Sequence, residues 1–162
     1  MLLILDVDGV LTDGTKVYDI NGKVFSKRFC DLDFTATKKF QMKGWSVCWL
    51  SADTAVNQGL AEDRGIRFVH SRDPDGTIDK VKWLNTLLFE YDSMCDIIYV
   101  GDDLFDLSIM REVLRYNGRI FCPSNSAPPV KAVATNLSSQ GGTGAIMELY
   151  YMLYEDDSQP CG

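Results

Sequence analysis

The chain has 162 residues, of which 46% are hydrophobic and 11% aromatic, so it can bury one full core and we expect a single globular domain. Its net charge of −7 and its lack of a basic run argue against binding to a nucleic-acid backbone. No apolar stretch reaches the roughly 18 residues of a membrane span. The apolar start is too short for a signal peptide, so we expect a cytoplasmic protein without a membrane partner.

Apolar runs and helical spacings alternate along the chain. The first strand is expected at Leu2–Leu5, and residues 16–29 alternate around Asn21-Gly22, a pair typical of a type I′ hairpin turn. Further strands are predicted at 46–50, 66–69, 97–100 and 119–121, and helices at about 34–43, 55–64, 78–91, 104–114 and 144–154. This order predicts an α/β fold with a mainly parallel sheet, in one domain over 1–154 followed by a flexible tail at 155–162.

Polar side chains stand at the ends of several predicted strands. Asp6 and Asp8 directly follow the first strand, and Ser51 and Asp102 directly follow two others. Because the carboxyl ends of parallel strands line one crevice, we expect these side chains to converge. A cluster of Asp oxygens without His or Cys suits a hard cation such as Mg²⁺. Lys80, at the start of a later helix, can reach the same crevice and neutralise phosphate oxygens.

Four motifs in this order resemble those of the haloacid dehalogenase superfamily of phosphotransferases. They are DVDGVLTDG at 6–14, Ser51 after VCWL, Lys80 in IDKVKWL, and YVGDDLFDL at 99–107. The short chain leaves no room for a cap domain, and with its hairpin and the GGTGAIMEL segment at 141–149 it resembles the capless branch. That branch contains 3-deoxy-manno-octulosonate 8-phosphate and nonulosonate 9-phosphate phosphatases. The resemblance implies a Rossmann-like three-layer sandwich, without a cap, from which the β-hairpin projects.

The resemblance also implies a magnesium-dependent phosphatase that works through an aspartyl-phosphate intermediate. Asp6 would be the nucleophile, and Asp8 would protonate the leaving oxygen and then activate water. The Asp6 carboxylate, the Asp8 backbone carbonyl and Asp102 would hold Mg²⁺. Ser51 and Lys80 would hold the phosphoryl oxygens. The implied substrate is a small phosphorylated metabolite, namely a sugar or acid-sugar phosphate.

Substrate selection and assembly are linked in this resemblance. Asp53, which stands where the nonulosonate branch carries Glu, would bind substrate, and Gly141, Gly142 and Thr143 would complete a neighbour's entrance in a homotetramer. Some apolar hairpin side chains should then be buried against another chain. The apolar side chains of the hairpin, from which the buried ones are expected to come, are Val17, Ile20, Val24, Phe25 and Phe29. Thr143 replaces an Arg that would pair with a sugar-acid carboxylate, so another sugar or a nucleotide phosphate stays open as substrate.

Two alternative functions stay open beside the sugar phosphatase. A nucleotide-directed phosphatase would share the catalytic core and differ only in the leaving group. A non-catalytic tetramerisation module would resemble the carboxy-terminal domain of some sialic acid activating enzymes. The chain keeps all five charged or polar groups of the expected crevice, which favours an enzyme over this module. These groups are Asp6, Asp8, Ser51, Lys80 and Asp102. His70, the only histidine, is assigned no role.

Overall fold

A parallel sheet forms the centre of the computed structural model, which describes residues 1–91 and 96–154; the tail predicted at 155–162 lies outside the described residues. The strands are β1 (Leu2–Leu5), β2 (Val17–Tyr18), β3 (Val24–Ser26), β4 (Ser46–Ser51), β5 (Arg67–His70), β6 (Ile97–Val100), β7 (Arg119–Cys122) and β8 (Thr135–Asn136). Six of them form the sheet in the order β5-β4-β1-β6-β7-β8, and every neighbouring pair is parallel. The other two, β2 and β3, pair with each other as an antiparallel hairpin.

Helices cover both faces of this sheet. They are α1 (Asp31–Met42), α2 (Asn57–Asp63), α3 (Lys80–Tyr91), α4 (Leu107–Arg115), α5 (Pro128–Lys131) and α6 (Ala145–Leu153). Leu3 and Leu5 of β1 face a core shared with α1, α2 and α6, whereas Leu2 and Ile4 face a core shared with α3 and α4. Burial on both faces explains why β1 is an unbroken apolar run. The predicted three-layer α/β sandwich is confirmed.

Several short elements differ from the prediction. The four residues of α5 and the two residues of β8 were not predicted, because segments this short carry no measurable periodicity. The helix predicted from residue 104 begins as a 3-10 turn over Leu104–Asp106, capped by Asp103, before α4 starts. Within the described residues, no helix combines the length and the apolar character that crossing a membrane requires.

The hairpin has the predicted centre but a different turn. Gly22 has a φ of 73°, whereas Asn21 lacks the positive φ that a type I′ turn needs, so that prediction was wrong. The Asp19 carboxylate instead accepts the backbone N–H of Asn21 at 2.8 Å and that of Lys23 at 2.9 Å. The Gly22 N–H also donates to the Asp19 carbonyl at 3.0 Å. A side chain that satisfies its own turn has therefore overridden the preference of the Asn-Gly pair.

The apolar side chains of the hairpin divide into two groups. Ile20 is fully exposed and Phe25 is 73% exposed. Phe29, which follows β3, is partly buried against the core of its own chain, where its ring centroid lies 5.7 Å from that of Phe34 and 6.4 Å from that of Trp49. Phe29 is therefore packed within its own chain, whereas Ile20 and Phe25 form an exposed apolar surface on the hairpin.

Candidate active site

The carboxyl ends of β1, β4 and β6 meet at one crevice. The chain runs from β1 outward to β4 and β5 and then returns to β6 on the other side of β1, which makes this edge the topological switch point of the sheet. A cavity of about 170 Å³ lies there, and its lining includes Asp6, Asp8, Ser51, Asp53 and Lys80. The four side chains predicted to be catalytic are thus brought together, although they lie as many as 74 residues apart in sequence.

Lys80 is the central cation of this crevice. Its Nζ lies 2.8 Å from Asp6 Oδ2 and 2.6 Å from Asp106 Oδ1, and the side chain is 4% exposed. Burial opposes the charge of the ammonium, but the two carboxylates outweigh that effect and raise the pKa of Lys80. The Asp6 carboxylate is oriented from its other side by the Val7 N–H, which donates to Oδ1 at 2.8 Å. The nucleophile candidate therefore stands beside a permanently charged ammonium.

Asp106 supports the crevice from within the protein, a role that sequence reasoning missed. It is fully buried, and its Oδ1 accepts the Tyr99 hydroxyl at 2.5 Å in addition to Lys80. Its Oδ2 accepts the backbone N–H of Asp102 at 2.8 Å and that of Asp103 at 3.0 Å. The sequence did contain a signal for this role, because Asp106 is the third acid of YVGDDLFDL. At this spacing its side chain can fold back onto the end of β6 and cap the 3-10 turn.

A group of three carboxylates fits a cation. Asp6, Asp102 and Asp106 each place one oxygen within 4.8 Å of the others. Burial, reinforced by neighbouring carboxylates, raises the pKa of Asp102 to about 8, and burial raises that of Asp6 to about 7 despite Lys80. Asp102 Oδ1 is buried without a hydrogen-bond partner among the described residues. Each Asp106 oxygen accepts two hydrogen bonds, whereas each Asp6 oxygen has one partner and Asp102 Oδ1 has none, so Asp6 and Asp102 are the carboxylates with lone pairs left for a metal.

Gly9 makes room for the Asp102 carboxylate. A β carbon at Gly9 would lie 1.9 Å from Asp102 Oδ2, and the φ of 92° at this residue is one that other residues rarely adopt. The glycine of the DVDG motif is therefore a steric requirement of the acidic cluster.

Asp8 faces the cavity like Asp6, but its carboxylate has a different set of partners. Lys27 Nζ lies 2.8 Å from Asp8 Oδ1, and Lys16 Nζ lies 3.5 Å from Oδ2. The Asn57 amide donates to Oδ2 at 3.3 Å. Lys16 and Lys27 flank the two hairpin strands, so the hairpin delivers two cations to the crevice. Sequence reasoning identified neither Lys27 nor Asn57, because their contacts arise only from the tertiary fold.

Ser51 ends β4 as a buried side chain whose acceptor sites are already used. Its Oγ accepts the Asn57 amide N–H and the Asp53 backbone N–H, both at 3.2 Å. A serine hydroxyl has two lone pairs and one proton, so these two bonds leave the proton to be donated. The geometry thus prepares Ser51 as a hydrogen-bond donor into the cavity.

Asp53 lines the cavity, but its carboxylate is paired within the chain. Oδ2 accepts Lys16 at 2.6 Å and Lys27 at 3.0 Å, and Oδ1 accepts the Ala55 N–H at 2.9 Å. Burial opposes ionisation of Asp53, but these hydrogen bonds outweigh it and lower the pKa to about 2. Asp53 therefore lines the cavity as part of a hydrogen-bonded network with Lys16 and Lys27.

The structure does not place Gly141, Gly142 or Thr143 in the lining of this cavity. The Gly142 N–H donates to the Val10 carbonyl at 2.9 Å, and a β carbon on Gly141 would lie 1.9 Å from the Gly9 carbonyl oxygen. Thr143 is exposed. The two glycines are thus required where this segment packs on the loop after β1 of the same chain. Their predicted contact with a neighbour's entrance stays a prediction.

Comparison of the sequence with curated proteins finds a relative that covers nearly the whole chain. The chain is 31% identical over 160 residues to 3-deoxy-D-manno-octulosonate 8-phosphate phosphatase KdsC of Haemophilus influenzae, and the alignment covers 94% of this chain and 82% of that protein. No protein-family model matches the chain.

Solved structures similar to this chain belong to the same group of phosphatases and hydrolases as this relative. The chain superimposes on a hydrolase of haloacid dehalogenase subfamily III A from Legionella pneumophila with a TM-score of 0.82 at 30% identity, covering 95% of this chain and 81% of that one. The 3-deoxy-D-manno-octulosonate 8-phosphate phosphatase of Moraxella catarrhalis, solved with magnesium, phosphate and KDO, gives a TM-score of 0.80 at 26% identity, covering 95% and 85%. The resemblance drawn from the motifs is confirmed: the chain belongs to the haloacid dehalogenase superfamily, among the KdsC-like phosphatases.

Proposed function

We propose that this phosphatase is magnesium-dependent and hydrolyses a sugar or acid-sugar phosphate through an aspartyl-phosphate on Asp6. The observation that carries the proposal is the convergence of Asp6, Asp8, Ser51 and Lys80 on one small cavity, beside a cluster of buried carboxylates. Catalysis of phosphoryl transfer consists mainly of positioning and charge neutralisation, and this arrangement supplies both.

Asp6 and Asp102 would hold Mg²⁺ with their carboxylates, and Asp8 would add its backbone carbonyl. The unpartnered, buried Asp102 Oδ1 supports this assignment, since a cation would compensate a buried carboxylate oxygen that has no hydrogen-bond donor. When bound, the ion neutralises charge on the phosphoryl group and keeps the neighbouring carboxylates ionised. The relative from Moraxella catarrhalis was solved with magnesium, which supports the choice of metal.

The side chains of the crevice then take separate catalytic roles. The Asp6 carboxylate attacks phosphorus, and Asp8 gives a proton to the leaving oxygen and later takes one from the attacking water. The Lys80 ammonium neutralises a phosphoryl oxygen, and the Ser51 hydroxyl donates its remaining proton to another. Asp106 keeps Lys80 charged and in place.

The leaving group would bind against the remaining cavity lining. The same cavity is also lined by Lys16, Arg72, Ile78, Asp103 and Phe105, so a leaving group would meet charged and apolar side chains together. A polyhydroxylated sugar, with or without an acidic group, suits this mixed surface. The KdsC relative, named for an acid-sugar phosphate, supports this substrate class.

Replacement of the nucleophile tests the proposal. Asp6→Asn keeps the side-chain shape but cannot form the acyl phosphate, so phosphate release from p-nitrophenyl phosphate should fall by about 10³-fold or more. Asp63→Asn, at an exposed carboxylate of α2, is the matched control and should keep full activity. Chelation of the metal should abolish turnover in the wild type. Turnover that survives Asp6→Asn, or full activity in chelator, would refute the mechanism.

A further inference from the structure

We propose that Lys27 and Asn57 form a positioning pair that holds the Asp8 carboxylate in line with the leaving oxygen. This inference rests on the proposed function, because it assigns a purpose to contacts around the proton donor of that reaction. Neither residue belongs to the four motifs from which the family was inferred.

Lys27 is a fully buried ammonium with a complete set of acceptors. Its side chain is 0% exposed. Its Nζ donates to Asp8 Oδ2, Asp53 Oδ2 and Asn57 Oδ1, each at 3.0 Å. An ammonium has three N–H donors, and three side chains surround it. Lys27 is therefore fixed in position and has no proton left for a substrate.

Asn57 completes the same arrangement from the start of α2. It is fully buried, and its amide nitrogen lies 3.3 Å from Asp8 Oδ2, 3.2 Å from Ser51 Oγ and 3.0 Å from the Asp53 carbonyl. The Asn57 Oδ1 accepts a hydrogen bond from Lys27, while the Asn57 N–H groups face Asp8 and its neighbours. An amide suits this position because it offers an acceptor to Lys27 and a donor to Asp8.

The backbone before Asn57 is strained. Val56 has a φ of 66° and a ψ of −41°, a conformation that is disfavoured for a β-branched side chain. Strain of this kind persists where the surrounding contacts impose it, and it is frequent at functional sites. Here it immediately precedes the residue whose amide enters the crevice.

The contacts restrain the Asp8 carboxylate through one of its oxygens. Lys27 donates to Oδ2 at 3.0 Å and the Asn57 amide donates to the same oxygen at 3.3 Å, whereas Oδ1 accepts no hydrogen bond among the described residues. Proton transfer needs the donor within hydrogen-bond reach of the leaving oxygen, so a carboxylate that rotates freely transfers its proton less efficiently. The benefit of such restraint depends on the leaving group, because a good leaving group departs without a proton.

The test compares two aryl esters of similar shape and different leaving-group acidity. Phenyl phosphate releases a phenol about as weakly acidic as tyrosine, whereas p-nitrophenyl phosphate releases a much stronger acid. The measured quantity is kcat/KM, which covers the steps up to departure of the leaving group. Asn57→Leu and Lys27→Met should each lower kcat/KM by about 100-fold for phenyl phosphate and by less than about tenfold for p-nitrophenyl phosphate.

Matched controls use exposed neighbours of each residue. Gln58→Leu on α2 and Lys23→Met on the hairpin should leave kcat/KM within about twofold of the wild type for both esters. If Asn57→Leu does not fold, Asn57→Asp keeps the shape, removes the donors and should give the same dependence on leaving group.

Two outcomes would overturn the inference while the proposed function stands. Equal losses on the two esters would indicate a general structural role for the pair, and unchanged kcat/KM would indicate no role. A wild-type protein without magnesium-dependent hydrolysis of either ester would instead refute the proposed function, and the inference with it.

Discussion

Asp6 and Asp102 carry the electrostatic character of the site. Burial raises the pKa of both carboxyls, to about 7 and about 8. Lys80 alone cannot neutralise both Asp6 and Asp102, because its ammonium is shared between Asp6 and Asp106. A divalent cation held by Asp6 and Asp102, as proposed, would remove this deficit, so metal binding, ionisation and stability would be coupled at these two residues.

Stability should therefore fall with rising pH in the absence of metal, and Mg²⁺ should offset that fall. Because both carboxyl pKa values are raised in the folded state, the folded chain binds more protons than the unfolded chain between about pH 4 and pH 8. The stabilisation present below that window is lost as the pH rises through it, so the melting temperature in chelator should fall from pH 5 to pH 8. Mg²⁺ should raise the melting temperature more at pH 8 than at pH 6, because it binds the ionised form.

Asp102→Asn provides the control for this pH dependence. An amide does not titrate, so the variant in chelator should show a shallower fall, and its melting temperature should respond less to Mg²⁺. A melting temperature that rises steadily with pH in metal-free wild-type protein would contradict the assigned pKa shifts.

At the scale of elements, the sequence predicts the strands that carry the site better than the contacts that complete it. Apolar runs that end in Asp or Ser identified β1, β4 and β6, because burial on both faces removes any alternation. Asp106 and Asn57 could not be found in this way, since the charged side chains that they contact, Lys80 and Asp8, lie on other parts of the fold. The glycines at 141 and 142 were predicted to complete a neighbour's entrance, and only the fold shows their close approach to the loop at 9–13 of the same chain.

One cap between elements should contribute measurably to stability. Asp33 of α1 is fully buried, and its carboxylate accepts the N–H of Ile146 at 2.8 Å and that of Gly144 at 3.2 Å at the start of α6. Asp33→Ala should lower the free energy of unfolding in urea by about 2 kcal/mol, because it leaves buried N–H groups without an acceptor. Asp31→Ala, at an exposed position of the same helix, should cost less than about 0.5 kcal/mol. Equal stability of the two variants would refute the cap.

At the scale of the whole molecule, the hairpin links the proposed active site to the surface expected to bind another chain. Its base supplies Lys16 and Lys27 to the crevice, while its tip exposes Ile20 and Phe25. A two-stranded hairpin has no core of its own, so apolar side chains at its tip favour burial against another chain. This surface supports the expectation of a homotetramer, in which neighbours would close an active site that has no cap.

Light scattering in dilute buffer tests that expectation. The wild type should have about four times the mass of one 18.2 kDa chain, and Ile20→Ser combined with Phe25→Ser should shift it to smaller species. Phe89→Ser, which removes an aromatic side chain that is 92% exposed on α3, should leave the assembly unchanged. A fully active wild-type monomer would exclude a catalytic role for the assembly.

The covalent intermediate is the central claim, and acid quenching tests it most directly. Wild-type protein mixed with Mg²⁺ and p-nitrophenyl phosphate labelled with radioactive phosphate should retain acid-stable label that hydroxylamine releases, as an acyl phosphate does. Peptide mapping should locate the label at Asp6, and Asp6→Asn should retain none. Label that persists in Asp6→Asn, or a rapidly hydrolysing wild type that carries no label at any quench time, would contradict the account.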